Sequence, residues 1–430
     1  DGNDGPWSSF AIKVGKPPQT QKVFVSTSAR NILLVNPSGC SSADTSNCAT
    51  LRGGIFNSSR SITWKPNTAR GTNATYPILD DSSLGYNDNG TFGYDDVAFQ
   101  FFESDLGAAA NRSIGVFSST SSYLGLFGIL PRSTTFSSSE GPVDGYLQYM
   151  FNSGSIPSLT WAYTAGTREL FHTSAVMITS LLFGGYDQAK FNAHEITWQF
   201  NTNEVRDLTV QLQSINAYGW NDGRVQASLL PSTISAFLDS SLPYIWLPLE
   251  SCLLFEKRFG LIWDPKTELY LVNETLHQSL LADDPSVIFT LNNGTSGFVV
   301  NITLTYALLD LTVSSPIVRA STRYFPLKRA SSPSQYILGR TFFQAAYVIA
   351  DYERGNFSVH SVNSATYDTE EISPIYSPGS TGPRFIDTTG AIEPSFNSSS
   401  SVGPAVGGTI GGVALGGILT LIYFFYVRPR

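Results

Sequence analysis

One pattern of twelve residues occurs twice in this chain and limits its fold more than any other feature. The second copy is Phe237-Leu238-Asp239-Ser240-Ser241-Leu242-Pro243-Tyr244-Ile245-Trp246-Leu247-Pro248, and the first is Phe24-Val25-Ser26-Thr27-Ser28-Ala29-Arg30-Asn31-Ile32-Leu33-Leu34-Val35. Both run, without a gap, through an aromatic and an aliphatic residue, three small polar residues, a divergent turn, and an apolar strand opened by isoleucine. The copies lie 213 residues apart in a chain of 430. That period is too long for a solenoid and implies duplication of a whole lobe. A chain of this length also exceeds what one core usually holds.

A turn of small residues bearing a carboxylate, set between apolar strands and repeated, resembles the pepsin-like aspartic protease family. In that family each lobe threads its Asp-Thr/Ser-Gly loop beside a later apolar pair followed by glycine. Here Gly125-Leu126-Phe127-Gly128 follows Ser26, and Tyr336-Ile337-Leu338-Gly339-Arg340-Thr341-Phe342 follows Asp239. Leu181-Leu182-Phe183-Gly184-Gly185-Tyr186-Asp187 resembles the element that closes the first lobe, and Tyr347-Val348-Ile349-Ala350-Asp351-Tyr352 the closing strand of the second. The resemblance covers residues 10 to 362. It implies a mainly β, bilobal fold of two pseudo-twofold-related lobes around a cleft, the first over residues 1–190 and the second over 191–362. The whole most resembles membrane-anchored, cell-surface fungal forms.

The same resemblance implies the chemistry. Two carboxylates meet at the lobe interface and share a proton, because two like charges that close cannot both ionise. The ionised one deprotonates a water as it attacks the peptide bond, and the protonated one donates to the carbonyl oxygen. Asp239 matches one of the two positions, but Ser26 stands at the other. A hydroxyl has no proton equilibrium near neutral pH, and Asp239 without its partner is expected to titrate near the ordinary carboxylate value of about 3.9. General acid–base assistance is worth roughly 10² to 10⁴ in rate, and groups acting as a unit fail together. The glycine that follows in the family is Ser28 in the first turn and Ser241 in the second. Thr27 and Ser240 match the hydroxyls that brace the loops across the interface. Tyr86, in Leu84-Gly85-Tyr86 ahead of the hairpin signal Asn89-Gly90, matches the flap tyrosine or is an aromatic on an exposed hairpin.

Composition narrows the setting. A net charge of −8 with no Lys/Arg cluster argues against nucleic-acid binding. Four histidines (His172, His194, His277 and His360), scattered along the chain, fit neither a zinc spacing nor a Ser-His-Asp triad, and no metal or cofactor is expected. Asp44, Asp95 and Asp96 are spare carboxylates that could reach the cleft, while Asp310 and Asp351 sit in apolar runs read as strands and are expected to be structural. Cys40 and Cys48 resemble the small disulfide after the family's first loop. Cys252 reads as a buried thiol on a helix over Leu249 to Phe259, with intermolecular pairing as the alternative. A second helix is predicted from Val143 to Asn152. Nine Asn-x-Ser/Thr sequons, at Asn57, Asn73, Asn89, Asn111, Asn273, Asn293, Asn301, Asn356 and Asn397, favour N-glycosylation over chance. The absence of a leading methionine reads as a mature chain whose signal peptide has been removed.

Past Val362 the character changes. Residues 363–404 are rich in Ser, Thr, Pro and Gly and read as a stalk. Residues 405–427 carry no charge and are long enough to cross a hydrocarbon core of about 30 Å. Arg428 and Arg430 then open a cytoplasmic tail at 428–430, giving a type I anchor, with a GPI signal as the alternative. Glycine spacings in the span allow a helix-mediated dimer. The expectation is a glycoprotein of the cell surface or a secretory-pathway membrane, impaired as a protease, whose cleft binds peptide or protein segments. The alternatives are an active membrane-anchored acid endopeptidase and a structural surface glycoprotein.

Overall fold

The computed structural model describes residues 1–40, 46–71, 74–79, 88–99, 108–137, 141–167, 179–220, 227–294, 297–363, 365, 369–380 and 382. Strands dominate, as the alternating and continuous apolar runs require. The span 405–427 and the tail lie outside the described residues, and among those described no helix is long and apolar enough to cross a membrane.

The duplication is visible in the strand pairings. In the first half, Gln19–Ser26 runs parallel to Gly125–Gly128, which pairs antiparallel with Ile32–Val35, which runs parallel to Ala109–Phe117. In the second half, Ile234–Leu238 runs parallel to Ile337–Leu338, which pairs antiparallel with Ile245–Leu247, which runs parallel to Leu327–Arg329. Parallel neighbours need long crossovers, so each turn is locked to a strand about a hundred residues later. All four residues of Ile32–Val35 and all three of Ile245–Leu247 are buried, which is why these strands are apolar throughout instead of alternating.

Glycine makes the threading possible. A Cβ on Gly128 would sit 2.5 Å from the carbonyl oxygens of Ala29 and Asn31, and one on Gly339 would press on Tyr244 O and lie 2.6 Å from Leu242 O. Backbone passes backbone there, so no side chain fits.

The lobes are less separable than a boundary at residue 190 implies. Thr160–Thr164 of the first pairs with Ala346–Asp351 of the second, within a five-stranded sheet completed by Ser180–Phe183, Asn356–Ser361 and Trp198–Gln199. The segment read as the start of a stalk also differs: Ile372–Pro374 pairs with Gly185–Asp187. Glu371 N donates to Asp187 Oδ1 at 2.8 Å and Ser377 Oγ to Glu353 at 2.9 Å. Ile372 remains 62% exposed, so this strand is held by backbone pairing at a sheet edge and not by apolar burial. Composition measures burial capacity alone and misses such a strand.

The helix Leu249–Phe259 lies where predicted and buries the Cys252 thiol, pushed up to about 12 by burial. The other begins at Tyr146, not Val143, because Val143 bridges to Thr134 as extended chain. Cys40 and Cys48 form a disulfide. Asp310 does not lie in a strand. It follows the short helix Tyr306–Leu309 and faces His277 at 3.3 Å and Arg323 at 3.4 Å.

At the five-stranded sheet the buried His360 ring packs on Phe191 and on His194, with centroids 4.4 and 4.2 Å away. Burial, then the charge of His194, lowers its pKa to about 3. A folded value below the unfolded 6.5 means that the stabilisation is complete above 6.5 and is lost as pH falls toward 3. At pH 4 the loss from this ring is about 3 kcal/mol. Asp207, raised by burial to about 6, works in the opposite sense, stabilising the fold as pH falls from 6 toward the carboxylate range. His360→Gln is therefore expected to flatten the fall of Tm between pH 6.5 and 4; an unchanged slope would remove His360 as its cause.

Candidate functional site

The two turns meet back to back and brace each other. Ser240 N donates to Thr27 Oγ1 at 3.1 Å and Thr27 Oγ1 donates to Leu238 O at 3.3 Å. In the mirrored pair, Thr27 N donates to Ser240 Oγ at 3.2 Å and Ser240 Oγ to Val25 O at 2.8 Å. Both side chains are fully buried. Each precedes or follows only small residues, so the turns can approach closely, and the brace fixes Ser26 and Asp239, each one residue earlier, on facing sides of the join.

Between them lies a connected set of side-chain bonds. Ser241 Oγ donates to Asp239 Oδ1 at 2.6 Å, and Ser241 N donates to the same oxygen at 2.9 Å. Ser28 Oγ also donates to Asp239 Oδ1, at 2.9 Å. A hydroxyl has one hydrogen. With that of Ser241 committed to Asp239, Ser26 is the donor in its 2.6 Å bond to Ser241 Oγ, and Ser26 Oγ accepts from Ala29 N at 2.9 Å. Ser28 and Ser241 themselves stand 3.0 Å apart. All three hydroxyl hydrogens thus lead, directly or through Ser241, toward a single carboxylate, and Asp239 is 3% exposed. Among the described residues these turns present one carboxylate where paired carboxylate chemistry needs two.

The family model for eukaryotic aspartyl protease matches residues 9–362. The chain belongs to the eukaryotic aspartyl protease family. No curated protein matches it. Among the features of this aspartyl protease fold, Arg340 was not legible as part of the site, although a charge directly after Gly339 in an apolar run was the available signal. It is 2% exposed, donates from Nε to Ser240 O at 3.1 Å and from Nη2 to Ser241 O at 2.8 Å, and lies 4.0 Å from the Phe24 ring centroid. It holds the second turn from behind and places a positive charge against the carbonyls of the two residues that follow Asp239.

A cavity of about 190 Å³ opens beside Ser241, walled by Phe24 and Tyr123 from the first half and by Leu242, Tyr244 and Lys328 from the second. Both halves contribute, as a cleft between the lobes of an aspartyl protease requires. Tyr86 lies outside the described residues, as do Asn73, Asn397, His172 and Asp44. Asp95 accepts from Thr63 Oγ1 at 2.5 Å and Asp96 from Asn111 N at 3.0 Å, so both tie their strand to neighbouring segments. Among the sequons, Asn89, Asn111, Asn273 and Asn301 are exposed, and Asn57, Asn293 and Asn356 are half-buried. Among the described residues no group of His, Cys, Asp and Glu could hold a metal ion.

Proposed function

We propose that this chain is a non-cleaving member of the aspartyl protease family, a pseudo-protease that holds peptide or protein segments in its cleft. One observation carries the assignment. The Ser28 and Ser241 side chains stand 3.0 Å apart between the turns, both bonded to Asp239 Oδ1, with Ser26 where a second carboxylate would lie. The hydroxyls fill the space in which two carboxylates and an attacking water would have to meet, and none of them titrates near neutral pH. The preserved brace and the open cavity favour retained binding over loss of the site. Anchoring by residues 405–427 and glycosylation at the sequons form part of the same proposal, a type I surface or secretory-membrane glycoprotein. Extended peptides are expected to bind the full chain in equilibrium dialysis at pH 4 to 7 and to be recovered intact. Absence of any bound peptide would overturn the binding role.

A further inference from the structure

The cavity beside the turns has an uneven charge balance. Lys328 lines it with a side chain 10% exposed, and Glu268 lies 3.8 Å away with its own side chain 67% exposed. A solvated carboxylate at that distance contributes little. The ammonium rests over the rings of Tyr244 and Trp246, 4.9 and 5.5 Å from their centroids. Aromatic faces compensate a desolvated charge less well than a bonded carboxylate does. Burial pulls the amine down to about 8, with Glu268 acting the other way. Through neutral and acid pH the cavity wall therefore carries a desolvated cation with little compensation.

Asp4, on the same wall, does not supply the missing charge. It forms no ion pair with Lys328 among the described residues, and its Oδ1 accepts from Trp7 Nε1 at 2.7 Å. Burial raises its pKa, and the charge of Arg340 acts on it from behind Phe24. A basic ligand group would thus find a carboxyl already served, whereas an acidic one would find an ammonium in need of a partner.

Building on the peptide-binding role, we propose that this cavity is a specificity pocket for an Asp or Glu side chain of the bound segment, with Lys328 as its counter-ion. An amide in the same place leaves the ammonium desolvated and unpaired, so discrimination comes from rejection as much as from attraction. A charge-assisted bond of this kind corresponds to about 10- to 100-fold in affinity. Glu268 and the rings of Tyr244 and Trp246 face the amine, and Asp4 lines the same cavity. The preference holds while the ligand carboxylate and Lys328 are both charged, and it declines above pH 8.

The test uses the full chain and two random decapeptide mixtures, identical except that one contains Asp and Glu where the other contains Asn and Gln. Binding is read by equilibrium dialysis and contact by protection of Lys328 from dinitrofluorobenzene, with Lys190 as internal control. The acidic mixture is expected to bind about 10- to 100-fold more tightly and to protect Lys328 selectively, and Lys328→Met to remove the difference between the two mixtures. Equal binding of the two mixtures, or a preference that survives in Lys328→Met, overturns the pocket and leaves peptide binding standing. No binding of either mixture overturns both.

Discussion

Ser26→Asp combined with Ser28→Gly and Ser241→Gly is expected to show pepstatin-sensitive acid protease activity that the parent chain, on the proposed reading, lacks. Each change has its own cause. Position 26 lacks a second titratable group, and one carboxylate cannot both accept and donate the protons of the cycle. Ser28 and Ser241 fill the join and bind Asp239 Oδ1 at 2.9 and 2.6 Å, so a new carboxylate has room only when both hydroxyls are gone. Ser26→Asp alone is expected to gain almost nothing, because its oxygens would run into Ser241 Oγ, now 2.6 Å from Ser26 Oγ. The triple variant should gain roughly 10² to 10⁴ in rate over the single one. Cleavage of a peptide mixture between pH 3 and 6, with and without pepstatin, measures the difference. Full activity from the single change would show that the serines do not block the site.

Gly339→Ala is expected to cost about 4 kcal/mol or more, a large share of the roughly 5 to 15 kcal/mol that holds a domain folded. The added methyl would press on Tyr244 O and lie 2.6 Å from Leu242 O, and these atoms are backbone in the second turn itself. Relief would require moving the strand Ile337–Leu338 off both its neighbours. Gly128→Ala should behave alike in the first half. Gly141→Ala, where a Cβ meets nothing within 4 Å, serves as the neutral control. Thermal unfolding followed by circular dichroism reads the series. A Gly339→Ala protein that melts within a few degrees of the parent would mean that the turn and the threaded strand are not locked together.

These two glycines also show why so much of the fold was legible. A steric rule that admits one residue type leaves a mark in the sequence: the repeat located both turns, and the resemblance to the family picked out the apolar pairs that end at Gly128 and Gly339 as their partners. The hydroxyl brace of Thr27 and Ser240 was legible through the same resemblance. Other features depended on distant packing. That Ser28 and Ser241 would bond to one oxygen of Asp239 follows from the closeness of the turns and not from either residue's identity. Lys328 reads as an ordinary charge in Leu327–Arg329 until Tyr244 and Trp246 are seen to bury it. The edge strand Ile372–Pro374 is held by backbone pairing, to which composition is blind.

The opposed titrations of His360 and Asp207 bear on where such a protein works. One loses stability on acidification and the other gains it, so the fold is partly buffered across the acid range in which aspartyl proteases act.

The central claim is that the site binds without cutting, and turnover tests it most directly. The purified full chain would be incubated with a random peptide mixture at intervals from pH 3 to 6, beside Asp239→Asn, and new peptide termini counted by mass spectrometry. The expected result is no cleavage above that of Asp239→Asn at any pH. Cleavage by the parent that Asp239→Asn abolishes would contradict the account and make this a protease that works with one carboxylate.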